Sequence, residues 1–407
     1  MSRLTPRAGA LTVQARALAF VLFAVAFGTN VSTPLLLLYR ERLDLSATSV
    51  TVIFAVYAAG LLPALFLAGP ASDRLGRRPV VVPFVVVSVL ASAMFLGASA
   101  GLWVLLLARL AQGMVSGAVF SVGSAWMGEL VPDQGAASRA AATALSLGFG
   151  LGPLTAGALA QWAPAPALTP FVVHLVLMAG ALAVLRRVPE TLLAPWGTGP
   201  LLNLGVPRAA RQPFLRFVVP AALCVFTFPS VAAVTLPLRL QAAMPGIALV
   251  VTGAAAGLAL TTGAFVQRLE KRMGPALAAP AGAAAGALGL ALGLVAAAVD
   301  VPWVLLPAAT ALGVGYGLTL AAGLTATQRL ADPAARGALV STFYAVAYLG
   351  FGVPVVISVV GEGTSFDGGL QGLLACTLAI VGLLSLRLDR ATVDRPRPTA
   401  APLTTSG

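Results

Sequence analysis

Charge is scarce in this sequence. Only 9% of its 407 residues are Asp, Glu, Lys or Arg, against about 25% in a soluble globular chain. The 59% that are hydrophobic gather in many runs of about 20 residues, more than the interior of a soluble fold can cover. A water-soluble fold is therefore excluded. Histidine is nearly absent, with His174 alone, and the two cysteines, Cys224 and Cys376, both lie inside apolar runs. That leaves no basis for a metal centre or a disulfide framework. Gly313-Val314-Gly315-Tyr316-Gly317 is glycine-rich but lies within an apolar run, with no strand before it and no Walker lysine after it. It is no phosphate loop. No nucleophile–base constellation supports an enzyme, and no cofactor is expected. Acids are missing where they would be most informative: all 13 fall in loops or near the ends of apolar runs.

Twelve apolar runs are present, over about 17–38, 48–68, 79–99, 102–126, 139–161, 168–186, 214–237, 247–267, 276–298, 303–326, 337–360 and 369–387. Each is long enough to cross a hydrocarbon layer of about 30 Å as a helix. Continuous apolarity argues against barrel strands, which alternate. In lipid the backbone must be satisfied internally, so helices are required. The first run follows Arg3, Arg7 and Arg16. It is too long for a signal-peptide core and no clear small-residue cleavage site follows it, so it reads as an uncleaved first span.

The net charge of +12 does not point to nucleic acid, because the arginines lie in short loops and not along one basic helix. With an inside N-terminus, 21 of the 25 basic residues fall in segments on one side, from Arg3 through Arg74, Arg77 and Arg78 to Arg397. The opposite loops hold Arg40, Arg42 and Arg239. This bias predicts a multi-pass protein of the cell inner (plasma) membrane with both termini cytoplasmic. Arg109 is the exception, placed inside a span.

Residues 187–213 are rich in proline and glycine and read as a cytoplasmic linker. They separate a six-span half (1–186) from a second (214–387), and a polar tail (388–407) reads as disordered. The halves echo one another. Gly69–Arg78 aligns with Gly263–Arg272, matching Gly, Arg, Leu and a basic pair, with Gln267 opposite Asp73 and Glu270 opposite Gly76. Gln112-Gly113-Met114-Val115-Ser116-Gly117 resembles Leu312-Gly313-Val314-Gly315-Tyr316-Gly317, and Leu147–Gly150 resembles Leu349–Gly352. Three echoes in order indicate an internal duplication, the parallel-repeat layout of one transporter class.

At these residues the chain resembles the major facilitator superfamily. Gly69, Asp73, Arg74, Gly76, Arg77 and Arg78 fit its motif A between spans 2 and 3. Arg109, Gln112 and Gly113 resemble motif B in span 4. Gly148, Gly152, Pro153 and Gly157 resemble motif C in span 5, with Ala156 in place of a glycine. The resemblance implies an all-α membrane fold of twelve helices in two pseudo-symmetric six-helix bundles. Motif C points to the drug:proton antiporter type, and so to proton-coupled efflux of a small molecule. Import or facilitated passage of sugars or other metabolites is the alternative within transport. A transport-inactive sensor or scaffold is the alternative outside it, but needs neither motif A nor an embedded arginine. The expected partners are a small-molecule substrate and the lipid bilayer, with a monomer as the working unit and the proton gradient as driving force.

The residue chemistry gives each motif a task. Asp73 can satisfy a helix N-terminus and the arginines helix C-terminal carbonyls. By resemblance the neighbour of Asp73 is the start of span 11, and Glu129 is a partner for Arg77, together forming a cytoplasmic gate. Arg109 costs roughly 2.5–3.5 kcal/mol to insert, so it should face a polar cavity or the bundle interior, with snorkelling to the outer surface as the alternative. It stays protonated and so can act as a coupling or cavity charge but not as the proton carrier. Gly148 and Gly152 share one face of a helix that Pro153 can bend, with Pro153 and Gly157 one step round. By superfamily architecture, spans 1, 4, 7 and 10 line a cavity, bringing Asn30, Gln112, Trp126, Phe226, Phe228 and Tyr316 to it, with Tyr57, Tyr344 and Tyr348 as possible additions. His174, in a peripheral span, reads as structural. Such a cavity favours a hydrophobic or weakly polar substrate.

Overall fold

The computed structural model describes residues 11–192, 204–330, 336–363 and 365–386. The centre of the linker and the whole tail expected over 388–407 lie outside the described residues. Among these residues there are helices and no strand. Twelve of them are apolar, and we number them α1 (Val13–Arg42), α2 (Ala47–Leu75), α3 (Arg77–Leu96), α4 (Leu102–Leu130), α5 (Gln134–Trp162), α6 (Thr169–Leu185), α7 (Arg208–Ala243), α8 (Ala248–Met273), α9 (Pro275–Ala298), α10 (Pro302–Leu330), α11 (Arg336–Gly363) and α12 (Phe366–Ser385). All but α6 are long enough to span a membrane by length and composition; α6 has 17 residues. The twelve correspond one to one with the apolar runs. Most extend several residues beyond them, because polar ends continue the helix past the hydrocarbon stretch.

Local chemistry sets the ends. Thr12, Ser46, Asp133 and Ser365 are N-caps whose side-chain oxygens accept the free N–H groups of α1, α2, α5 and α12. Between α2 and α3 the chain turns on a single residue, Gly76, at φ 103°; Gly274, at φ 74°, does the same between α8 and α9. Both angles are left-handed and favour glycine. The motif A residues, expected between spans 2 and 3, are thus mostly helical: α2 runs unbroken through Gly69 and Asp73 to Leu75, and α3 begins at Arg77. The two turns correct the repeat register. Aligning on the basic pair set Glu270 opposite Gly76, but the residue that makes the turn in the second half is Gly274.

The helices form two six-helix bundles. One buried cluster draws only on residues between Ala15 and Val188, another only on residues between Ala210 and Leu384. A third joins Phe27, Leu35 and Phe54 to Ala233, Leu238 and Ala256 across the two. We call the end of the bundle that carries Gly76 and Gly274 the basic end, and the opposite one the far end. Three helices are irregular in their interiors. α1 breaks at Asn30–Val31 into Val13–Thr29 and Ser32–Arg42. α7 contains π segments at Phe214–Val218 and Val231–Thr235, and α11 a 3₁₀ segment at Leu349–Gly352.

Candidate functional site

A cavity of about 430 Å³ lies between the halves. Its polar and aromatic lining comes from Thr29 and Asn30 (α1), Phe54 and Tyr57 (α2), Phe120, Ser121 and Ser124 (α4), Phe149 (α5), Phe226 and Ser230 (α7), Tyr316 (α10), and Tyr344, Tyr348 and Phe351 (α11). The volume is that of a small-molecule site. Phe351 sits at its hub. Its ring lies 5.3 Å from Phe54 and 5.6 Å from Tyr57 in the first half, and 5.3 Å from Phe226 and 5.8 Å from Tyr348 in the second. Phe226 and Tyr348 stack at 4.4 Å. The 3₁₀ segment of α11 sets this placement.

Of the cavity residues expected from sequence, Asn30, Phe226, Tyr316 and Tyr344 line it, as do Tyr57 and Tyr348. Trp126 does not. It is fully buried in the first half, where Nε1 donates to the Pro189 carbonyl at 3.1 Å. Residence on a cavity-lining helix gives no information about which face a residue occupies, and Trp126 occupies the inner one. Phe228 is likewise fully buried, packed against Gly286 and Gly315. Gln112 also lies outside the lining, 4% exposed.

Gln112 and Arg109 work together on the break in α1. Interrupting a helix frees carbonyl oxygens, and in lipid these need protein donors. Gln112 Nε2 donates to the Gly28 oxygen at 3.0 Å, and Arg109 Nη1 to the Thr29 oxygen at 2.9 Å. Arg109 also donates to Ser32 Oγ (3.2 Å), Gln112 Oε1 (3.1 Å) and the Phe54 oxygen (3.3 Å). Its guanidinium lies over the Tyr57 ring at 4.8 Å and the Phe54 ring at 5.5 Å, a cation–π arrangement. At 1% exposure it does not snorkel. It occupies the bundle interior, one side-chain layer behind the cavity wall. His174 completes the pattern on α1. Its Nε2 meets the Ala24 oxygen at 3.1 Å and its Nδ1 meets Ser92 Oγ at 2.6 Å, so a buried structural role accounts for it.

At the basic end Arg77 is the centre. Its guanidinium donates to Glu129 (2.7 Å), Asp73 (2.6 Å) and Ser72 Oγ (2.6 Å). It thereby joins α2, α3 and α4, and the Glu129 partner named from sequence is the one it meets. Glu190, which sequence reading did not single out, caps α3. Its carboxylate accepts the backbone N–H of Arg77 at 3.0 Å and of Arg78 at 2.8 Å. Glu129 also accepts the Thr191 hydroxyl. Burial alone would raise the Glu190 carboxyl, but donation from the Leu192, Arg78, Arg77 and Thr191 N–H groups outweighs it and holds the group below its ordinary range. The helix-N-terminus role expected of Asp73 is thus filled, for α3, by Glu190. The contact expected between Asp73 and the start of span 11 falls partly on residues 331–335, outside the described residues.

The far end is bridged from half to half. Arg40 donates to Gln241 Oε1 (3.0 Å), and Gln241 Nε2 donates to Glu41 (2.7 Å). Thr48 donates to Glu362 (2.6 Å), Thr51 and Ser358 share a hydrogen bond of 2.8 Å, and Gln161 Nε2 reaches the Gly246 oxygen at 2.7 Å.

Against this architecture the comparisons are decisive for the family. The family model described as Major Facilitator Superfamily matches residues 18–355. The chain belongs to the Major Facilitator Superfamily. It is similar to "Multidrug resistance protein MdtL" of Escherichia coli (strain K12 / DH10B) and of Shigella boydii serotype 18 (strain CDC 3083-94 / BS512), 29% identical over 136 residues in each case. That match spans 33% of this chain and 31% of the relative's length, about a third of each. Among solved structures it resembles a POT family transporter in complex with a thioalcohol-conjugated peptide, with a TM-score of 0.76, 13% identity, and coverage of 94% of this chain and 96% of that one. It also resembles the nucleoside transporter NupG, with a TM-score of 0.68, 12% identity, and coverage of 91% and 98%. At such identities the structural likeness speaks to the fold alone.

Within this superfamily fold, α5 packs in two directions, along the two faces its glycines define. Gly148 and Gly152 lie against the α1 backbone at Phe23 and Phe27, while Gly157 and the Pro153 carbonyl lie against Gly253 of α8, in the other half. Small residues permit that approach. Gly113 abuts the Tyr57 carbonyl of α2 in the same manner. Two cavity-lining residues went unnoticed in the sequence although a signal was present. Phe351 and Phe149 occupy the same place in the repeated Leu-Gly-Phe-Gly, and both line the cavity. An aromatic duplicated between two glycines in both halves was the clue.

Proposed function

We propose that this chain is a secondary active exporter of hydrophobic or weakly polar small molecules. It works by alternating access, with proton entry as the driving force, in the plasma (inner) membrane with both termini cytoplasmic. The observation that carries the reading is the aromatic cavity of about 430 Å³ shared by both halves, next to cross-half hydrogen bonds at the far end. Those bonds close one end in this conformation, and rocking the bundles would break them. The Arg77–Asp73–Glu129 cluster would then stiffen the basic end of the first half as a gate. The small-residue seam between α5 and α8 provides a surface on which the halves can roll. The MdtL proteins are named for multidrug resistance, which supports efflux over import.

A second reading is facilitated passage without protons. It is favoured by one observation: the described residues lining the cavity include no Asp or Glu. Inverted membrane vesicles carrying the chain, energised and screened for substrate-induced proton release, separate the two. Proton release with the wild type and none with empty vesicles supports antiport. Substrate equilibration with no proton movement supports the facilitator, and accumulation in energised right-side-out vesicles supports import.

A further inference from the structure

We infer that the cavity selects aromatic substrates by the sign of their charge, accepting neutral and anionic molecules and rejecting cations. The inference rests on the transporter reading above and names its substrate class.

Aromatic cavities ordinarily welcome cations, because ring faces are electron-rich. Here a cation already occupies that role. The Arg109 guanidinium stacks on Tyr57 and Phe54, two rings that also face the cavity. Its hydrogen-bond partners, the Thr29 and Phe54 carbonyls, Ser32 and Gln112, are all neutral, and its Nε has no partner. No acid stands among the described lining residues to offset it. Arginine does not lose its proton in such a site, so its field reaches the cavity uncompensated. A substrate charge about 4 Å beyond the Tyr57 ring, whose centroid lies 4.8 Å from the guanidinium, would be roughly 9 Å from Arg109. At an effective dielectric of about 20 that changes affinity by about twenty-fold for each unit of charge. Asn30, Ser121, Ser124 and the tyrosine hydroxyls can donate to a carboxylate, whereas nothing described in the wall can neutralise an ammonium.

The test is equilibrium binding to the purified full chain in lipid nanodiscs at pH 8. Three probes share one biaryl scaffold: a neutral carboxamide, a carboxylate and a trimethylammonium. The carboxamide and carboxylate should bind at least ten-fold more tightly than the trimethylammonium. Arg109→Gln should narrow that gap to within about three-fold. Because this substitution can unfold the first half, Asn30→Asp supplies an independent arm: a carboxylate in the wall should raise trimethylammonium affinity and lower that of the carboxylate probe. Equal or tighter binding of the trimethylammonium by the wild type overturns the inference. So do unchanged affinities for the two charged probes in Asn30→Asp, or a folded wild type that binds none of the three. The vesicle flux assay fails separately. A cation preference in a chain that transports would leave the exporter reading intact, and the expected binding order in a chain without flux would do the reverse.

Discussion

In the first half, Gly113 and Gly117 press against the Tyr57 and Leu61 carbonyls of α2; in the second, Gly313 and Gly317 press against the Ala259 and Gly263 carbonyls of α8. The packing of one helix pair has been copied into the other. Polarity has not. Where the first half has Arg109 and Gln112, the second has Ala309 and Leu312 at the same places in the repeat, both fully buried. Side chains from α4 and α6 hold α1 by its carbonyls, whereas the lining helices of the second half are irregular in themselves, with π turns in α7 and a 3₁₀ segment in α11. The difference assigns each half a character. The first is a frame tied by buried hydrogen bonds; the second carries Phe226, Tyr344, Tyr348 and Phe351 on helices of uneven pitch.

The largest effects should come from what the halves share. Gly113→Val and Gly313→Val each drive a side chain into a neighbouring backbone carbonyl, and each should cost about 3 kcal/mol or more, or prevent folding. Similar losses of thermal stability in nanodiscs would support a common packing, and a large disparity would break the comparison. Next comes what they do not share. Arg109→Leu leaves the Thr29 carbonyl at the break in α1 without the donor that Arg109 supplies and should cost about 3 kcal/mol. Ala309→Ser, whose hydroxyl can bond to a carbonyl of its own helix, should shift stability by less than about 1 kcal/mol. Equal shifts would refute the claim that only the first half is framed by polar contacts.

Asp73→Asn should weaken the 2.6 Å contact with Arg77 and lower vesicle flux several-fold, with membrane insertion unchanged. Unaltered flux at matched expression would remove the gate from the argument. The smallest effect is at Glu190. Its carboxyl is held below its ordinary value of 4.5, so its stabilising contribution is complete above that pH and disappears as pH falls through the lower folded-state value. Glu190→Gln should therefore cost about 0.5–1 kcal/mol at pH 7. The gap from wild type should close as melting is measured at pH values falling below 4.5.

The twelve helices were legible because each hydrocarbon crossing demands a long apolar run, and the superfamily was legible because its charged motif sits between spans 2 and 3. Arg77–Glu129 could be named since both residues had to lie at the same end. Trp126 was misplaced because a continuously apolar helix carries no periodicity to say which face is wet. From its insertion cost Arg109 could be assigned to a polar cavity or the bundle interior, with snorkelling as the alternative. Its actual task depends on a break in α1 that the run from 17 to 38 does not announce. Glu190 escaped because a cap on a helix more than a hundred residues earlier in the chain leaves no local trace.

The four residues Leu349–Gly352 have a mechanical consequence. A 3₁₀ helix rises about 2.0 Å and turns about 120° per residue, an α-helix about 1.5 Å and 100°. Converting that segment to α would shorten α11 by about 2 Å and rotate one end against the other by about 80°. Phe351, inside it, would swing away from the rings it now joins. The segment thus has the properties of a screw with a short stroke, able to turn a change in pitch into the opening or closing of the aromatic hub.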